Sequence, residues 1–179
     1  MKMVISPAKS LQFDSQLPSI NFTTPNFIEE ANLINGLLKK KTSKELSDLM
    51  HISDKLAQLN WERNQSFNSQ ESTNKRPAIF TFNGDVFQGL DAYTLSTEKI
   101  DQMQNQLRIL SGLYGILKPL DLIQPYRLEM GTNFSIGKHK NLYDFWKDKM
   151  IQQLNLEIEE GELFVNLASN EYFNVIDIK

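Results

Sequence analysis

Residues 107–131, LRILSGLYGILKPLDLIQPYRLEMG, restrict the fold of this chain more than any other stretch. They hold three of the eight glycines, two of the six prolines and two arginines around an apolar run. A helical pattern leads in from Thr97, with Ile100, Met103, Leu107 and Leu110 on one side. Gly112 then falls where a helix C-cap glycine belongs, and the backbone must turn there and again near Gly115. The turn Gly112, Leu113, Tyr114, Gly115 has three readings. It can simply join two elements while Leu113 and Ile116 fill core. It can be a helix-hairpin-helix whose amides grip a nucleic-acid phosphate, with Arg108, Lys118 and Arg127 around it. It can be a GxxG clamp on single-stranded backbone. The hairpin reading meets an obstacle, because the glycines are one residue further apart than in Gly-x-Gly, and Pro119 and Pro125 shorten any second helix.

The flanking sequence mixes helices and strands without a βαβ rhythm, which favours α+β over a doubly wound sheet. Residues 2–5 read as a strand closed by Ser6 and Pro7. Thr24 and Pro25 open a helix that places Phe27, Ala31, Ile34 and Leu38 on one face. Thr42 and Glu45 fit a capping box. Ser53 opens a helix to about Trp61, and the polar residues 62–76 read as a surface loop. PAIFTF, 77–82, reads as a strand before an Asn-Gly-Asp turn. Asn141 starts a helix with Leu142, Trp146, Met150 and Leu154 inward. Residues 163–167 are a strand, and Ser169 caps a last short helix. No repeat or linker divides the chain, so residues 1–179 are expected to form a single domain.

Composition narrows the chemistry. With no cysteine among 179 residues there is no thiolate nucleophile or thiolate metal site. The chain has no apolar run of membrane-spanning length and no secretory signal at its start, so a cytoplasmic protein without membrane association is expected. The net charge of −3 opposes a wholly basic nucleic-acid binder, but its distribution is uneven. Residues 101–150 carry seven Lys or Arg against five acids, and residues 151–179 carry one Lys against six. His51 and His139 are isolated, so no metal site and no cofactor are expected. No GxSxG elbow or Ser-His-Asp order is present. Lys9 follows a strand and a proline turn, where it can meet a phosphate as a point charge or simply lie exposed. Asp54, Asp85, Glu129 and Glu171 stand beside apolar or glycine-containing stretches; such carboxylates are caps or ion-pair partners unless two converge in a cleft.

Six segments resemble the peroxide stress protein YaaA family, in the family's order and over nearly the whole chain. They are ISPAK (5–9), ISDKLA (52–57), FNGDVFQGL (82–90), the stretch 107–131, LYDFW (142–146) and NLASNEYF (166–173). The resemblance implies a cytosolic protein of the hydrogen peroxide response that limits damage from unincorporated iron. It implies a cantaloupe-like α+β fold, with a mixed sheet, several helices, a helix-hairpin-helix near 97–124 and a positively charged cleft that binds double-stranded DNA without sequence preference. Carried onto this chain, the DNA-binding residues are Lys9, Lys55, Arg108, Gly112, Leu113, Tyr114, Gly115, Lys118 and Arg127, with no catalytic residue. Family members continue past the EYF segment, so this chain is expected to lack the family's C-terminal part.

Two functions follow. The leading one is a non-enzymatic DNA-binding protein of peroxide stress and iron homeostasis. The alternative is an enzyme on a phosphorylated or nucleic-acid substrate, with Lys9 and Arg127 as an anion clamp and Asp85 with Glu129 as an acid–base pair. Iron binding by the protein itself is disfavoured by the scattered histidines.

Overall fold

The computed structural model describes residues 1–71 and 74–176. Its centre is a four-stranded sheet in the order β4-β3-β1-β6, formed by β1 (Lys2–Ile5), β3 (Leu107–Ser111), β4 (Gly115–Leu117) and β6 (Phe164–Asn166). β3, β1 and β6 run parallel, and β4 returns antiparallel to β3. Parallel strands need crossovers. The chain supplies them with α1 (Ile28–Leu38), α2 (Ser43–Met50), α3 (Asp54–Ser66), α4 (Ala78–Thr81), α5 (Asp85–Leu90) and α6 (Thr97–Gln106) between β1 and β3, and α7 (Leu142–Glu157) before β6. A two-stranded antiparallel ladder joins β2 (Arg76–Pro77) to β5 (Leu122–Ile123), and α8 (Asn170–Phe173) follows β6. The architecture is the expected α+β mixture.

Local chemistry explains the element starts. Thr42 and Glu45 close a reciprocal capping box on α2, while Ser53, Ser96 and Asn141 cap α3, α6 and α7 through side-chain oxygens. Leu142, Trp146, Met150 and Leu154 of α7 are all buried. Strand alternation sorts the sheet faces. Val4, paired with Arg108, faces the side on which Arg108 meets Glu157 of α7. Met3, Ile5 and Leu107 point the other way and help line an apolar groove of about 460 Å³ with α5 and α6.

Several expectations need correction. α1 starts at Ile28 rather than after Thr24, because Thr23 exchanges backbone hydrogen bonds with Leu120 and Leu122 and holds the chain extended there. α3 runs on to Ser66, so the segment read as a loop contributes a helical turn carrying Arg63. PAIFTF is not a strand: Arg76–Pro77 pairs with β5, residues 78–81 coil into a helical turn, and Phe82 makes an isolated bridge to Leu11. The helix of residue 97 ends at Gln106, and Leu107 and Leu110 are buried on a strand. Gly112 is therefore no helix cap. The segment 97–124 is a helix followed by a β-hairpin, with no second helix after the glycine turn, so the helix-hairpin-helix is absent there. Apolar side chains in unbroken succession fit a strand buried on both faces as well as a buried helix, and here the flanking β1 decides for the strand.

Candidate functional site

The glycine turn lies in the interior. Gly112, Leu113, Tyr114 and Gly115 are all buried, and Tyr114 is 1% exposed. Two of its amides are already satisfied: Ser111 Oγ accepts from the N–H of Leu113 at 3.3 Å and of Tyr114 at 3.0 Å. Trp146 Nε1 donates to the Gly112 carbonyl at 2.9 Å. A Cβ on Gly112 would fall 2.3 Å from the Leu128 carbonyl oxygen, and one on Gly115, which has φ +68°, would fall 2.7 Å from the Trp146 ring. These glycines are required by close packing, and the expected phosphate grip by turn amides does not form. The rest of the expected basic set is dispersed. Arg108 is buried, with its guanidinium 2.5 Å from Glu157 and further bonds to the carbonyls of Gln104 and Leu107. Lys55 is exposed in the first turn of α3. Lys118 lies in the turn between β4 and β5, its backbone N–H bonded to Asp121.

Lys9 and Arg127 do converge. Glu129 binds Lys9 Nζ on one carboxylate oxygen at 2.8 Å and Arg127 Nη2 on the other at 2.7 Å. The three residues line a narrow cleft with Pro7, Ala8, Tyr126, Leu128 and Tyr172, about 50 Å³ of it wide enough for water. Lys9 is 65% exposed, whereas the Arg127 side chain is 17% exposed and its Nε is buried without an acceptor.

The position follows from the topology. The loop after β1 leaves the carboxyl end of a parallel strand, the region where α/β sheets place ligands. Ser6 Oγ accepts the Ser169 N–H at 2.9 Å, tying that loop to the segment leaving β6. The Asn-Gly-Asp turn packs on the loop from outside: Asn83 N–H donates to the Ser10 carbonyl, and a Cβ on Gly84 would lie 3.0 Å from that of Ala8. Glu171 accepts the Gly131 N–H at 2.9 Å, anchoring the far end of the Arg127 segment. The tyrosine walls are fixed as well. Tyr126 OH shares a 2.7 Å hydrogen bond with Ser111 Oγ, and burial pushes the hydroxyls of Tyr126 and Tyr172 above their ordinary range. The glycine turn thus supports the cleft from behind, through Ser111 and Tyr126.

Asp85 opens α5, is exposed, and does not line the cleft. Glu129 is engaged by two cations, so the acid–base pair expected of Asp85 and Glu129 is not assembled. Among the described residues no cluster of three or more His, Asp or Glu side chains is arranged to hold a metal ion, and no helix is long and apolar enough to cross a membrane. Sequence reasoning missed Arg63, Tyr126 and Tyr172. Arg63 lies close enough to Arg127 for the two charges to act on each other; burial first, and then that neighbour, lower its pKa. A polar run read as loop concealed it, and only the helical continuation past Trp61 would have pointed to it.

Fold and cleft define an α+β protein with a cationic pocket at the carboxyl end of a parallel strand. The chain belongs to the peroxide stress protein YaaA family, whose model it matches over residues 1–179. It is 60% identical over its whole length to a UPF0246 protein of Flavobacterium psychrophilum and 57% identical to one of Flavobacterium johnsoniae, and in each case spans 71% of the relative. A UPF0246 protein of Neisseria meningitidis is 45% identical, with 70% of its length covered.

Proposed function

We propose that this chain serves the peroxide stress response by binding the phosphates of DNA at the Lys9–Arg127 cleft, without sequence preference and without catalysis. The observation that carries the reading is the convergence of two cations from distant segments on one carboxylate, at the carboxyl end of β1. Both cations keep donors beyond those used by Glu129, since an ammonium has three N–H groups and a guanidinium five. Phosphate contacts of this kind position a protein on DNA but read no bases. Bound protein would displace cations condensed on the backbone, and in this way limit damage by unincorporated iron at the DNA.

Fluorescence anisotropy of a labelled duplex, titrated with the protein over a salt series, tests this. Affinity is expected to fall linearly on logarithmic axes, by roughly 0.9 of a log unit in affinity per log unit of salt for each phosphate neutralised. Lys9→Gln should weaken binding and reduce that slope by about one. Absence of binding at low salt overturns the proposal.

A further inference from the structure

The cleft narrows inward, so an internal stretch of nucleic-acid backbone would meet chiefly the exposed Lys9 at its mouth. Its lining includes Pro7 and the largely buried rings of Tyr126 and Tyr172, with about 50 Å³ wide enough for water. An internal phosphodiester carries two bulky ester arms and a single charge. A terminal phosphomonoester carries one arm, three strong acceptor oxygens and about −1.5 to −2 charges at neutral pH.

The charges in the cleft favour an anion. Lys9 and Arg127 bring two positive charges against the one negative charge of Glu129, and Arg63, outside the lining, is near enough to Arg127 for the two charges to interact. At the cleft, Arg127 Nη2 and Lys9 Nζ both reach Glu129, and each cation keeps further N–H donors that a ligand oxygen could use. Guanidinium presents its N–H groups in a fixed fork suited to phosphate, and an ammonium at the cleft mouth adds a point charge.

We propose that this cleft is a site for a terminal phosphomonoester, held by Lys9 and Arg127 between the tyrosine walls, so that the protein favours phosphate-bearing strand ends or nucleoside monophosphates over uninterrupted backbone. This rests on the reading of the cleft as a phosphate site and narrows the phosphate it takes. The full chain is titrated into one labelled DNA duplex with either a phosphate or a hydroxyl at its free end. The phosphate end is expected to bind about tenfold tighter. Lys9→Gln, at an exposed position that leaves the fold intact, should reduce the difference severalfold, and thermal melting confirms that this variant is folded. Arg127→Gln should do the same if its melting temperature holds. Inorganic phosphate and a nucleoside monophosphate should both compete; a mononucleotide that outcompetes the duplex identifies a small ligand rather than a strand end as the better occupant. Equal affinity for the two ends, or a preference unchanged by Lys9→Gln, overturns the inference while leaving backbone binding in place. Failure of both duplexes to bind removes both.

Discussion

Three tyrosines tie the glycine turn to the cleft. Tyr114 accepts the Gln124 N–H on its hydroxyl at 3.1 Å and packs edge-on against Tyr126 at 5.3 Å, while Tyr126 bonds Ser111. Burial pushes the hydroxyls of Tyr114, Tyr126 and Tyr172 well above the ordinary value of 10.0. In the unfolded chain each ionises near that ordinary value, so above it the unfolded state binds fewer protons than the folded state. Stability from these groups is complete below about pH 10 and is lost as pH rises beyond it. Each buried tyrosine contributes a slope of about 1.4 kcal/mol per pH unit, so the three together give about 4. Denaturant unfolding between pH 9 and 11 should show this steep alkaline loss, and Tyr172→Phe should lower the slope by about one third. A flat profile would show that the rings are reached by water.

At the level of elements, the β3–β4 hairpin takes the place of the second helix expected after the glycine turn, and of the last turn expected of the first. Its register, Ile109 with Leu117 and Ser111 with Gly115, leaves the turn facing inward beneath Trp146. The hairpin is joined to α7 by Arg108, whose side chain is 4% exposed, and by Glu157. This pair crosses from the sheet to the last turn of the helix, with both side chains largely buried. Truncating one member of a buried ion pair leaves the other charge uncompensated. Arg108→Ala should therefore cost about 3–5 kcal/mol in denaturant unfolding. Any DNA affinity lost by that variant should return under conditions that restore its fold, such as stabilising osmolytes. A stable Arg108→Ala protein with weakened DNA binding would put the ligand near β3 after all.

Across the whole molecule, charge and topology act together. A net charge of −3 repels a polyanion on average, so binding has to come from a local concentration of cations. Lys55 and Lys118 are among the expected basic residues, yet neither lines the cleft. Lys55→Gln and Lys118→Gln should each change affinity less than about twofold at physiological salt, where separated surface charges are largely screened. Anisotropy titrations beside Lys9→Gln check this, and an equal loss for all three variants would favour a broad basic surface over the cleft. Much was legible locally: the capping box at Thr42, the caps at Ser53 and Asn141, the inward face of α7, the first strand and the mixed α+β class. Those features depend on neighbours within a few residues, and side-chain chemistry at that range is written in the chain. Three features depended on packing instead. Whether 107–111 is helix or strand was set by pairing with β1, whether the turn amides are free was set by Ser111, Leu128 and Trp146, and which cations meet was set by two loops that leave β1 and β5 about 120 residues apart. Spacing along a chain fixes periodicity and caps, because these are short-range; burial and charge convergence are sums over distant segments, and only the assembled sheet brings them to one place.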